Sequence, residues 1–527
     1  MSYFFSIIKQ HMDFIVVFLL VSISFFTFLY FFQDGKNLPY ADAISRLNIA
    51  RKVIDNITPG LPQVGNVWLP LPQLLMLPFV WNDYLWHSGI AGYLMSGISF
   101  IITGIFIYKS AYLITKSYLA SVFSVLIFAL NINILYLQTT AMSESIFLAS
   151  LAATIYFLLA WLHKKNDLYL IPAALSVSAM TLIRYEGLAV LLSSITLVFI
   201  YSFIKYRKFK KVEGKFILYT TLACLGFFLW TLYLTVIFGN PLYWKEYYAT
   251  PQATGGAEAA FTQAKPFFIA VSQYFTSFSW MIGIIPTLFT IISIPIMLFV
   301  CFKKKSWDFL VLLMPLSIFL FMVLTLQRNT PIVQPGLTIE NIMAGNTSEG
   351  TGFNIRYGLL LLPWIAILCA YLLIWRNWII KTILFVIFLG IFSTQVYTYF
   401  YPNFTLIYKI PENIYDKPFV QNVNWMKENY DGGKILISAG SQEDEMFMMG
   451  LPYKTYIHEG TNKYWKESVD NPSRYAKWVV IDYGHNSDNV AKQMNREDIL
   501  EREYKLVYQE NQLKVFKKIT DPYFEIK

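Results

Sequence analysis

About eleven runs of apolar residues, all but one of them roughly 18 to 25 long, recur along this chain, and a run of that length crosses the hydrocarbon core of a bilayer as a helix. Lipid offers no partner for main-chain N–H and C=O groups, so a crossing segment must satisfy them within itself. The runs lie at 14–32, 88–108, 118–135, 142–162, 168–183, 187–204, 216–238, 280–301, 309–326, 357–375 and 378–399. Composition agrees: 56% of the 527 residues are hydrophobic and only 14% are charged, which no ordinary soluble domain shows. The first run is too long for a signal-peptide core and lacks a small-residue cleavage site, so it is expected to stay as a membrane helix. The chain reads as a polytopic α-helical membrane protein.

Charge sets the orientation. The net charge is +9, from 42 basic and 33 acidic residues, and the bases concentrate in alternate connections. With a cytoplasmic N-terminus, Lys109 and Lys116, Lys164 and Lys165, the cluster 205–215, Lys303 to Lys305 and Arg376 all fall on one side. That is the positive-inside pattern, so the excess of bases is topogenic and no nucleic-acid partner is implied. The opposite, extracytoplasmic side receives the longer connections and most of the acids. Cys224, Cys301 and Cys369 lie in or beside apolar runs, where no disulfide framework or Cys/His metal spacing can arise. No clustered carboxylates demand an ion, so no metal and no cofactor is assigned.

The longest polar, proline-punctuated stretch is the first outer loop, 33–87. From Asp42 its apolar residues recur at spacings of three and four, which predicts a helix with Asp42 and Arg46 off the apolar face. Pro59, Gly60 and Pro62 end that helix, and a second apolar run carries Trp68 and Trp81, suited to headgroup depth. From about residue 401 the composition becomes that of a soluble domain. Short β-like runs begin at Lys434, Lys454, Lys477, Tyr504 and Leu513 and alternate with helical patterns such as 419–430, which predicts a small α/β domain. Two domains are therefore expected: 1–400 in the membrane, with its large outer loop, and 401–527 outside it. The tail has neither a GxGxxG fingerprint nor a P-loop. His458 and His485 are expected on its surface, and His87 and His163 at span ends.

An ion at membrane depth is costly and usually has a task. Asp42, Glu144, Arg184, Glu186 and Arg356 all fall at outer span ends or in the outer loop. Each also has a structural reading: Arg184 with Glu186 as an ion pair at a turn, Glu144 as a helix-start acid. Together they suit one chemistry. A sugar carried on a polyprenyl phosphate has an anionic leaving group that needs cationic donors, and arginine binds two phosphate oxygens at once. An acceptor hydroxyl needs a general base, for which a carboxylate suffices. Asp42 is the candidate base and Glu144 a second catalytic acid residue. Arg184 and Arg356, with Arg46 and Arg51, are the phosphate candidates. Glu186, Trp68 and Tyr243 are candidates for positioning substrate. Tyr243 belongs to an aromatic patch that also suits interface anchoring. The loop 327–354, which holds Glu340 and Glu349, is expected to form a lid.

The run YADAISRLNIAR followed by GNVWLPLPQLLMLPF resembles the first outer loop of GT-C glycosyltransferases of the protein O-mannosyltransferase and aminoarabinose-transferase type (glycosyltransferase family 39). In that family an acid opens an interfacial helix, an Ala-Arg pair follows about nine positions on, and a proline-rich apolar turn comes later. Asp42, Ala50 with Arg51, and the stretch 69–72 match these features. Ala43 departs from the pattern, standing where a second acid is common. Met142-Ser143-Glu144, Arg184-Tyr185-Glu186, Gly239-Asn240-Pro241 and the stretch from Arg356 to Pro363 resemble further family motifs. The resemblance implies a GT-C fold, a polyprenyl-phosphate sugar donor, inversion at the anomeric carbon, and an acceptor that is a protein, a lipid or a glycan. Divalent-metal dependence varies in that superfamily and stays open. The alternatives are a transporter or flippase of lipid-linked saccharide and a non-enzymatic assembly subunit with an outer binding domain. Charges at outer span ends, with no related halves in the sequence, favour the enzyme over a transporter.

Overall fold

The computed structural model describes residues 11–248, 266–328, 355–374, 419–494 and 497–520, with scattered positions between 382 and 393. The expected span 378–399 and the expected lid, from residue 329 on, lie outside the described residues apart from those positions. Among the described residues eight helices are long and apolar enough to cross a membrane: Met12–Gln33, Ile90–Thr115, Glu144–Lys164, Gly187–Tyr206, Val212–Phe238, Ile284–Lys304, Asp308–Gln327 and Arg356–Leu373. Each matches an expected run. Two further expected runs are shorter helices, Tyr118–Ala129 and Asp167–Thr181.

The shortened third run has a local cause. Asn131 ends Tyr118–Ala129 and caps Ile132–Leu137, its Oδ1 accepting from the N–H groups of Asn133 and Ile134. Its Nδ2 donates to the carbonyl of Met281 at 2.9 Å, where Asn133 Nδ2 also donates. Those carbonyls close the helix Phe267–Ile282, which stops because Gly283 adopts a φ of 101°. The break between two helices thus also satisfies the loose end of a third, as backbone buried away from water requires. The last described span, Arg356–Leu373, is wholly enclosed. It runs as 3-10 helix at Ile355–Leu361, α-helix at Leu362–Cys369 and 3-10 helix again at Ala370–Leu373.

The chain divides into two compact units: Met1–Phe31 with Asn66–Pro72 and Met95–Ile410, and Phe32–Gly65 with Gln73–Leu94 and Pro411–Lys527. The first unit is the helical membrane bundle. The second joins most of the first outer loop to the tail. Its sheet contains all five expected strands, β1 (Ile435–Leu436), β2 (Tyr456–Ile457), β3 (Trp478–Asp482), β4 (Tyr504–Glu510) and β5 (Leu513–Lys518). They stand in the order β2-β1-β3-β5-β4, parallel across the first three and antiparallel across the last three. Leu436, Ile457, Val479, Ile481 and Trp465 are buried in its core, and Ile57 from the outer loop packs against them. Trp86, also from the loop, is fully buried, with its ring 5.7 Å from Phe447 and 6.0 Å from Tyr453.

His458 corrects the surface position expected for it: it is 1% exposed, because it follows β2 into the domain interior, whereas His485 is exposed. Its Nδ1 accepts from the N–H of Gly460, and its ring meets Tyr453 edge-on. Burial holds the imidazole pKa well below its ordinary value, and the charge of Lys52 acts the same way. The unfolded chain binds this proton near pH 6.5 and the folded chain does not, so stability is full above about pH 6.5 and declines as pH falls from there. His458→Gln is expected to flatten that decline in thermal unfolding scans between pH 7.5 and 5.5. In the bundle, Asn131→Leu combined with Asn133→Leu strands the carbonyls that close the 267–282 helix and is expected to cost about 1–3 kcal/mol, read as a lower unfolding midpoint in detergent.

Candidate functional site

Four buried charges meet in the membrane unit. Glu144 opens the Glu144–Lys164 helix and is 0% exposed. Arg184 and Glu186 lie in the turn between Thr181 and Gly187, and Arg356 opens the enclosed span. Arg184 grips Glu186 with two bonds, Nε to Oε2 at 3.3 Å and Nη2 to Oε1 at 2.7 Å. Its Nη1 donates to Glu144 Oε1 at 2.9 Å, and Arg356 Nε reaches the same oxygen at 2.9 Å. Two guanidinium groups therefore converge on one carboxylate. Burial acts against the charge of Arg184, but Glu186 and then Glu144 outweigh it and raise its pKa further. At any accessible pH this arginine is a fixed cation.

Local sequence explains how the four converge. A Cβ at Gly187 would lie 2.6 Å from the carbonyl carbon and oxygen of Met180, so only glycine lets the 187–206 helix start tight against the end of 170–181. The turn that results holds Arg184 and Glu186 together. Gly358 does the same for Arg356: its missing Cβ lets the 355–361 segment approach the main chain of Ser277, where a side chain would stand 2.5 Å from the carbonyl oxygen. Between the two arginines sits Tyr357, its ring centroid 4.5 Å from Arg184 Cζ and 5.5 Å from Arg356 Cζ. The negative ring face adds to the attraction that the carboxylates exert on both cations. Tyr274 donates to the Tyr357 carbonyl at 3.1 Å and fixes that segment.

Sequence reasoning did not single out Tyr357, Gly187 or Gly358. Adjacency to Arg356 was the one available signal for the tyrosine. Tyr185, quoted in the sequence only as part of the 184–186 motif, also has a structural part. Its hydroxyl donates to the Val67 carbonyl at 2.8 Å, and its ring lies 4.7 Å from that of Trp244. This ties the charged turn to the segment that carries Trp68, which is half-buried. Tyr243 is half-buried too and stacks on Phe238 at 4.8 Å.

The remaining candidates belong to the other unit. Asp42 lies in the first turn of the Ala41–Lys52 helix and is half-buried, and Arg46 is buried. Arg51 is differently employed from the expectation. Its guanidinium binds Asp55 and Asp83, donates to the carbonyls of Val80 and Trp81, and lies 4.8 Å from the Trp86 ring centroid. Those contacts make it the fastener of the outer loop. Among the described residues no group of three or more His, Cys, Asp or Glu side chains could hold a metal ion.

The far ends of the 144–164 and 187–206 helices, and the end of 284–304, carry lysines: Lys164, Lys205, Lys303 and Lys304 occupy the last turns. The Glu144–Lys164 helix has 21 residues, so about 30 Å separates the two ends. His163 ends that helix as expected of a span-end histidine and meets Asp308 at 3.0 Å.

No family model matches the sequence, and no curated protein does. Solved structures do match. The archaeal oligosaccharyltransferase AglB from Archaeoglobus fulgidus, in complex with an inhibitory peptide and a dolichol-phosphate, aligns with a TM-score of 0.53 at 11% identity, over 90% of this chain and 70% of that one. ArnT from Cupriavidus metallidurans bound to undecaprenyl phosphate aligns with a TM-score of 0.47 at 11% identity, over 95% of this chain and 97% of that one. The likeness to the oligosaccharyltransferase is one of fold: a bundle of membrane-length helices and a C-terminal α/β sheet domain, as expected from the sequence.

The cluster is charge-balanced, so removing one member should hurt more than removing two. Glu144→Ala leaves two buried guanidinium groups facing one carboxylate and is expected to cost about 3–5 kcal/mol. A double-mutant cycle with Glu144→Gln and Arg356→Gln, read by unfolding midpoints in detergent, is expected to give a coupling above about 1 kcal/mol.

Proposed function

We propose that this protein of GT-C fold is an inverting glycosyltransferase that moves a sugar from a polyprenyl-phosphate donor to an acceptor hydroxyl at the extracytoplasmic face. The observation that carries the reading is the convergence of Arg184 and Arg356 on Glu144 at the helix ends opposite the lysines. The arginines are oriented before any ligand arrives, and preorganised cations are what a departing phosphate requires. Glu144 and Glu186 keep them charged and in place. The N-termini of the 144–164 and 187–206 helices point the positive ends of their dipoles toward the same cluster. The dolichol-phosphate bound by the archaeal oligosaccharyltransferase supports a lipid-phosphate substrate by analogy of fold.

In this mechanism Asp42 takes the proton of the acceptor hydroxyl. The freed oxygen attacks the anomeric carbon from the face opposite the phosphate. The carbon–oxygen bond to the lipid phosphate breaks, its electron pair leaves with the phosphate, and Arg184 and Arg356 stabilise the charge that develops. Configuration inverts because attack and departure occur on opposite faces. Glu186, Trp68 and Tyr243 position the sugar, and the lysine-rich helix ends face the cytoplasm, as positive-inside bias requires. Arg46 is retained as a further phosphate contact.

The test is transfer by purified protein from a panel of undecaprenyl- and dolichyl-phosphate hexoses, with release of lipid phosphate as the readout. Asp42→Asn is expected to lower the rate by about a hundredfold or more while expression and unfolding midpoint stay at wild-type values. Wild-type rates in that variant would remove Asp42 from the mechanism. Donor translocation without transfer would establish a flippase instead.

A further inference from the structure

The tail domain makes a specific set of contacts with the helix that carries Asp42, and they fall on one side of it. Glu443 receives Ser45 Oγ on Oε2 at 2.6 Å and Lys52 Nζ on Oε1 at 3.3 Å, while its main-chain carbonyl accepts from Asn48 Nδ2 at 3.4 Å. Positions 45, 48 and 52 are spaced i, i+3, i+7, so they line a single face of the 41–52 helix. One residue, some 400 positions away in sequence, thus holds the helix along most of its length. Two further points fix the loop beyond. Asp55 accepts from the N–H groups of Tyr453 and Lys454, at 2.9 and 3.4 Å. Gln63 donates to the Gly460 carbonyl at 2.8 Å, beside the carboxyl end of β2.

The helix needs such a hold. Its N-cap position, Tyr40, supplies no side-chain cap bond, and an uncapped first turn frays. Asp42 lies in that turn, one helical turn before Ser45. Glu443 has its own brace, since Gln442, at a kink in the 439–449 helix, donates to the buried Asp488 at 3.0 Å. We propose that the C-terminal α/β domain is a positioning clamp for the Asp42 helix, with Glu443 as its central residue. The inference rests on the reading of Asp42 as the base. Glu443 is a positioning residue: it touches no reacting atom, and it acts by fixing the backbone from which the base projects.

Hydrogen exchange of the full-length protein reads the clamp without any substrate. Glu443→Ala is expected to speed exchange of the amides in 41–52 by about tenfold or more, with the 144–164 helix unchanged. In the hexose-donor transfer assay the same variant is expected to lose about tenfold or more in kcat, with little change in donor KM, because a misplaced base weakens the chemical step and leaves donor binding intact. The exchange of charges Lys52→Glu with Glu443→Lys should recover kcat, and it covers the case in which Glu443→Ala fails to fold. Unchanged exchange in 41–52, unchanged kcat beside a dead Asp42→Asn, or no recovery in the charge exchange would each overturn the clamp. Full activity in Asp42→Asn would instead overturn the base assignment, while the exchange result would still stand or fall by itself.

Discussion

A charge buried at the end of a membrane helix is tolerated only when others neutralise it, and the cluster of Glu144, Arg184, Glu186 and Arg356 meets that condition at zero net charge. Each member arrives on a different part of the chain or on a different side of a turn, so the cluster is also a constraint on how the helices assemble. The turn at 184–186 must be tight, which requires Gly187 against Met180. The entry of the enclosed span must approach Ser277, which requires Gly358. Replacing the four by apolar residues of similar volume would cost little in principle, since buried ion pairs seldom add net stability. In the proposed reaction the task that sets them there is to hold a fixed pair of cations for the departing lipid phosphate.

The second unit follows a different logic. The loop after the first span and the tail domain share one core, with Ile57 against the sheet and Trp86 against Phe447 and Tyr453. Parallel β1, β2 and β3 end where an α/β sheet ordinarily receives ligands. Here the place beside β2 is taken by the chain's own Gln63 and Thr58, which bond to the Gly460 carbonyl. The tail uses a ligand-binding edge to hold a loop, which suits a domain that serves a residue outside itself.

What could be read from the sequence follows from locality. Apolar length gave the membrane helices, alternation gave all five strands, and the cost of burying charge picked out the four residues that meet in the bundle together with Asp42, which belongs to the other unit. Where the break between two helices also closes another, as Asn131 does through the carbonyl of Met281, apolar length alone ran the third span too far. His458 was read as exposed because histidine is polar, yet the chain carries it into the domain behind β2. Tyr357 was invisible because a cation–π contact leaves no spacing pattern.

Arg51 and Arg184 show most clearly why residue type and position fall short of role. Both are buried, both stand beside acids and aromatic rings, and both match motifs of the same resemblance. Arg51 binds Asp55 four residues on, Asp83 across the loop and two main-chain carbonyls, contacts that close a fold and would be broken by a substrate. Arg184 binds only side chains at a junction of helix ends, where the balancing anions can share it with a third. The physical distinction is in the acceptors: a carbonyl deserted by its arginine stays buried and unsatisfied, whereas a carboxylate between two guanidinium groups keeps one when the other turns to a phosphate. By that criterion Glu144, held by Arg184 and Arg356 at once, is in the proposed reaction the residue that lets one guanidinium turn to the phosphate while the other keeps the carboxylate paired.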